Sequence, residues 1–170
     1  MTTTSAQRCS TLIELTTRGA DDKRALFAPG GEPLTYAALR ALVQTAIADL
    51  NRAGVGRGDR VAIVLPNGPE MASAFIAVAS AAAPLNPTDK ADEFEFYSSD
   101  LKAKALVVEA GSSSPAVEVA RRLGVRIVTL NPQPQAGAGA FTLNVESRPG
   151  TRPRQPCIRR SSAARRAIAT

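Results

Sequence analysis

Apolar side chains recur at Tyr36, Leu39, Val43, Ile47 and Leu50, with Leu42 and Ala46 widening the stripe and polar residues opposite. This spacing predicts an amphipathic helix over 35–53. Thr35 is placed to cap its start, and Gly54 stands where a left-handed residue ends a helix. After the closely spaced Gly54, Gly56 and Gly58, the run Arg60–Leu65 (RVAIVL) is continuous, β-branched and short, which predicts a buried strand. Pro66-Asn67-Gly68-Pro69 stops it. Glu70 to about Ala82 is apolar almost all round, so a helix there should be buried on both sides. Pro69 suits its first turn and Glu70 its positive end.

The pattern then alternates between helix and strand. Pro84-Leu85-Asn86-Pro87 reads as extended or turn-like, because a residue before proline is pushed out of the α region. Thr88 is the expected cap of a third helix running through Asp92, Glu93, Phe94 and Tyr97. Lys104–Val108 reads as a strand, Ser114–Leu123 as a helix with Pro115 at its start, and Val125–Leu130 as a strand. Strands joined by such helices make βαβ crossovers and a parallel sheet, so the fold class is α/β. From Asn131 to Ala140 the chain is rich in Pro, Gln, Gly and Ala, and 131–147 is expected to be a linker. No internal repeat is visible.

Composition bounds this picture. At 170 residues and 44% hydrophobic content, the chain suits one globular domain. No apolar run approaches the roughly 20 residues of a membrane span, and no signal-like segment opens it, so a cytoplasmic location is expected. The net charge of +6 is unevenly spread. Residues 1–147 carry 14 Lys/Arg and all 15 Asp/Glu, whereas 148–170 carry seven Arg and no acid. The tail is therefore a separate segment, expected to be disordered, and attractive to RNA, DNA or anionic lipid if it is authentic.

Candidate chemistry is sparse. With no histidine, the chain holds neither a Ser–His–Asp nor a Cys–His centre. Cys9 and Cys157 are too far apart to suggest a metal knuckle or a disulfide framework, and Cys9, with only Arg8 beside it, is expected to be a free structural thiol. Neither G-x-x-x-x-G-K-[ST] nor G-x-G-x-x-G occurs, and GVGRGDR precedes a strand and reads as a turn. Asp89, Asp92, Glu93 and Glu95 lack the ladder and turn glycine of a calcium loop and read as a solvated acidic helix face. Phe94, Phe96 and Tyr97 are read as core contacts, because the acids around them would repel nucleic acid.

The order of short motifs is more telling than any one of them. Leu34-Thr35-Tyr36 is followed by a helix ending Ala53-Gly54-Val55, then by Gly58-Asp59-Arg60-Val61-Ala62-Ile63 and Leu65-Pro66-Asn67-Gly68-Pro69-Glu70. Ala83-Pro84-Leu85-Asn86-Pro87 and Glu93-Phe94-Glu95-Phe96-Tyr97-Ser98-Ser99-Asp100 come later. Over about 10–130 this series resembles the first α/β subdomain of the adenylate-forming superfamily, the acyl-CoA synthetases and their peptide-synthetase and luciferase relatives. The last two motifs look most like the oxalate–CoA ligase and fatty acid–CoA ligase branch. The resemblance implies an ATP-dependent ligase. A carboxylate attacks ATP to give acyl-AMP, and the CoA thiol then displaces AMP, with Mg2+ screening the phosphates.

The departures set the remaining expectations. The family's Thr/Ser/Gly-rich phosphate loop with its Lys, its adenine segment, its ribose-binding Asp and its C-terminal lysine match nothing here. No catalytic, cofactor-binding or metal residue is therefore assigned. Between the P-N-x-x-E helix and P-L-N-P, Ala79–Ala83 is about three residues too short for a helix end, a Gly turn and a strand, so that strand is expected to be lost or displaced. A half-built sheet would leave an open edge, and aggregation is expected. The acid-free tail has the composition of a GC-rich gene read out of frame. The leading expectation is a truncated acid–CoA ligase, inactive alone. The alternatives are a binding module with a basic nucleic-acid- or membrane-binding tail, or one subunit of a split ligase.

Overall fold

A computed structural model describes residues 11–87 and 90–146. The basic tail, Cys9, Cys157, Thr88 and Asp89 lie outside the described residues. A short helix, α1 (Leu12–Thr16), and a small antiparallel pair, β1 (Arg24–Leu26) and β2 (Leu34–Thr35), precede the main unit. There follow α2 (Tyr36–Arg52), β3 (Arg60–Val64), α3 (Pro69–Ala81), β4 (Ala83–Leu85), α4 (Ala91–Asp100), β5 (Ala105–Glu109), α5 (Pro115–Leu123), β6 (Arg126–Pro132) and β7 (Phe141–Val145). A five-stranded sheet runs in the order β4-β3-β5-β6-β7, parallel except for β7. The α/β reading holds.

The alternation of side chains along the strands sorts the core into two layers. Val61, Ile63, Ala105, Val107, Val128 and Leu130 point to one face, where Leu39, Val43, Ala46 and Leu50 of α2 and Ala74, Ala77 and Val78 of α3 cover them. Ala62, Leu106, Val108 and Ile127 point to the other, under Phe94 of α4 and Ala116, Val119 and Ala120 of α5. Thr35 caps α2 by accepting from the Ala38 N–H at 3.2 Å, and Gly54 leaves it at φ +77°. The small residues on α3 let it sit close to both α2 and the sheet.

Three expectations change. The strand expected to be lost is present as β4, in parallel register with β3 at Arg60↔Ala83 and Ala62↔Leu85. No glycine turn is needed, because Ala82 alone turns the helix end into extended chain (φ −151°, ψ −172°). The linker expected over 131–147 is largely ordered structure. β6 runs on to Pro132, and Phe141-Thr142-Leu143-Asn144-Val145, a strict two-residue alternation, pairs with it as β7. The Pro/Gly-rich stretch between them is a compact connection in which Gln133 N–H donates to the Ala140 carbonyl and Ala138 N–H to Glu32, each at 2.7 Å. Finally, only Phe94 of the three α4 aromatics is core. Phe96 is 66% exposed and Tyr97 43%, because 94 and 98 hold the buried face of that helix. The two exposed rings meet edge to face at 5.6 Å.

Candidate functional site

The sheet's winding reverses between β3 and β5: the chain passes from β3 outward to β4, then returns to the other side of β3. In open α/β sheets ligands collect outside the carboxyl ends of the strands at such a point. A crevice of about 500 Å³ lies there, lined by Pro66 after β3 and by Glu109 to Pro115 between β5 and α5. None of the motifs read from the sequence fell on it. The signal was a strand running straight into Ala-Gly-Ser-Ser-Ser-Pro, a strand–turn–helix junction built of hydroxyls.

Several of its hydrogen-bonding groups are engaged within the loop. Ser112 N–H donates to the Glu109 carbonyl at 3.1 Å, and Ser112 Oγ accepts from Ser114 N–H at 3.2 Å. Ser114 caps α5, its Oγ accepting from Ala116 N–H at 3.2 Å and its carbonyl from Val117 N–H at 3.0 Å. Pro115 has no N–H to offer. The lining adds one carboxylate, Glu109, and no Lys or Arg. The Ser112, Ser113 and Ser114 hydroxyls each keep a proton to donate, whereas a phosphate there would also meet the like charge of Glu109. A second groove of about 380 Å³ lies beside β4, between Pro84, Leu85, Pro87 and the Glu93, Tyr97 and Leu101 side of α4.

The motif residues serve elsewhere, as braces. Asp59 Oδ2 accepts from Gly56 N–H at 2.8 Å and from Lys104 Nζ at 2.7 Å, tying the turn before β3 to the start of β5. The Lys104 hydrogen bond and then the Gly56 N–H hold the Asp59 carboxyl below its ordinary value of 3.8, against the opposing effect of desolvation and with lesser help from the positive charges of Lys104 and Arg60. Arg60 Nε donates to the Leu101 carbonyl at the end of α4. Arg40 on α2 holds the N-terminal segment through the Thr16 carbonyl at 2.8 Å, the Gly19 carbonyl at 3.3 Å and the Asp21 carboxylate. The Tyr36 ring lies over Gly19 so closely that a Cβ there would come within 2.3 Å of it. Of the acidic residues on α4, Glu93 pairs with Lys90 at 3.5 Å and Glu95 with Arg122 at 2.5 Å. Among the described residues, no three His, Cys, Asp or Glu side chains converge as a metal site.

A family model, the AMP-binding enzyme, matches residues 13–161. The chain belongs to that AMP-binding enzyme family. The match reaches past 130 through β7 and into the basic tail. The oxalate–CoA ligase of Arabidopsis thaliana is 40% identical over 124 residues, 71% of this chain and 24% of that protein. The oxalate–CoA ligase of Saccharomyces cerevisiae is 43% identical over 83 residues, 45% of this chain and 15% of its own length. Among solved structures, apo MatB from Rhodopseudomonas palustris superposes with a TM-score of 0.60 at 23% identity, over 81% of this chain and 30% of that one, a likeness of fold. The AMP-binding chain thus spans about a quarter of the length of the first of these ligases. Among the described residues no helix is long and apolar enough to cross a membrane.

Proposed function

We propose that this chain is the amino-terminal part of an ATP-dependent, AMP-forming acid–CoA ligase and is inactive on its own. The observation that carries the reading is the pairing of 40% identity to an oxalate–CoA ligase with coverage of only 24% of that protein. The switch-point crevice supports it, since its lining carries the Glu109 carboxylate and no Lys or Arg. No described residue is assigned a catalytic, cofactor-binding or metal-binding role. On this reading ATP, Mg2+ and CoA are the complete enzyme's cofactors, a carboxylic acid is its substrate, and the cytoplasm is its compartment. The part represented here is scaffold: α2, α3 and the parallel sheet form a packed platform for chemistry done by groups beyond it.

Acid-dependent ATP–pyrophosphate exchange tests the proposal directly. Purified chain, shown to be folded by circular dichroism, is assayed with oxalate and with a long-chain fatty acid. Exchange at the level of a buffer blank is expected with both acids. Turnover above the blank that follows the chain through gel filtration would overturn the claim of inactivity.

A further inference from the structure

The sheet ends in two unlike edges. On one side, Ala83 N–H donates to the Asp59 carbonyl at 2.8 Å, so Ala83 and Leu85 turn their backbone groups towards β3. The one residue of β4 that faces outward is Pro84, which has no N–H to give an incoming strand. That edge is closed to strand addition.

Among the described residues, no strand pairs with the other edge, β7. Gln133 N–H donates to the Ala140 carbonyl at 2.7 Å and Glu146 N–H to the Ile127 carbonyl at 3.1 Å, in register with the β6–β7 ladder. An antiparallel ladder alternates its bonded residues, so the even-numbered residues of β7 face β6. Phe141, Leu143 and Val145 therefore turn their N–H and C=O groups outward. None of the three is proline, and no charge lies within 141–145 to discourage pairing.

We propose that β7 pairs antiparallel with β7 of a second copy of this chain, about a two-fold axis at Leu143. Leu143 then lies opposite Leu143 and Phe141 opposite Val145. The three outward residues of each strand form about six backbone hydrogen bonds in this register. The uncharged strand meets its own copy without like-charge contact, which is what commits the edge to self-pairing. The exposed Thr142 of one copy stands across from the exposed Asn144 of the other, in a non-hydrogen-bonded pair where side chains approach most closely.

Sedimentation equilibrium of the full chain at high salt, which screens the basic tails, should give a concentration-dependent two-chain mass. Thr142→Lys with Asn144→Lys places lysines directly opposite each other twice and should weaken association about tenfold. Hydrogen exchange supplies a readout without a variant: the Leu143 and Val145 amides should exchange more slowly as protein concentration rises, while those of Thr142 and Asn144 stay protected throughout. A single-chain mass at all concentrations would overturn the proposal. So would an assembly that leaves the Leu143 and Val145 amides in fast exchange, or one that a folded double-lysine variant forms equally well.

Discussion

Gly139 and Gly30 offer a controlled measure of how tightly the 133–140 connection is held. Both have left-handed backbones, φ +78° and +74°. A Cβ on Gly30 meets nothing within 4 Å, whereas one on Gly139 stands 2.6 Å from the Pro69 carbonyl oxygen and 2.9 Å from its carbon. Alanine at either site bears the cost of a left-handed conformation, about 1–2 kcal/mol, and recovers about 0.4–1 kcal/mol from the less flexible unfolded chain. Those contributions cancel between the two variants. What remains at Gly139 is overpacking against backbone at the first turn of α3, about 1–3 kcal/mol. The same displacement stretches the 2.6 Å hydrogen bond from Ser73 Oγ to the Gly139 carbonyl. Gly139→Ala should therefore be less stable than Gly30→Ala by about 2–3 kcal/mol. At about 2–4 °C per kcal/mol for a chain of this size, the two melting temperatures should differ by about 5–10 °C. Urea unfolding followed by far-ultraviolet circular dichroism measures the difference. Two variants within about 0.5 kcal/mol of each other would refute the close packing of this connection on α3.

Ser73→Ala should cost about 1–3 kcal/mol in the same urea assay, because it leaves the Gly139 carbonyl without its buried donor. Combined with Gly139→Ala it should cost less than the sum of the two, since both act on one contact. Asp59→Asn tests the brace at the amino edge of the sheet through pH. The folded-state carboxyl is held below 3.8, so its stabilising contribution is in place above that pH and is lost as pH falls through the lowered value. The gap in urea midpoint between wild type and Asp59→Asn should be widest near neutrality and should narrow below pH 3.8. A gap that stays constant across that range would show that the carboxylate charge is not what the brace uses.

How much of this was legible in the sequence depended on whether the signal was local. α2 declared itself through its stripe, its Thr35 cap and Gly54, all within one segment, and α5 through Pro115 at its start. β7 was hidden because its alternation follows a stretch whose composition signals a linker, and because pairing with β6 is a tertiary fact. β4 was discounted by counting residues. The count presumed a glycine turn that the extended backbone of Ala82 makes unnecessary. Phe96 and Tyr97 were assigned to the core because the acids around them argue against nucleic-acid stacking, whereas the face of α4 that meets the sheet is set by Phe94 and Ser98.

The motifs that disclosed the family turn out to say little about chemistry, for a physical reason. Asp59 and Arg60 of the G-D-R-V segment bind Lys104, the Gly56 N–H and the Leu101 carbonyl. Thr35 caps a helix and Tyr36 covers a glycine. Pro69 opens α3 and accepts the approach of Gly139. Apart from the local Thr35 cap and the Gly56 N–H, these are places where segments distant in sequence meet at a hydrogen bond or within contact distance. Such positions report which scaffold the chain builds. The concave surface at the switch point, by contrast, is lined by small residues, serines and a single acid, with no Lys or Arg. The described motif residues thus spend their specific interactions on holding the sheet together, in keeping with the scaffold role proposed above.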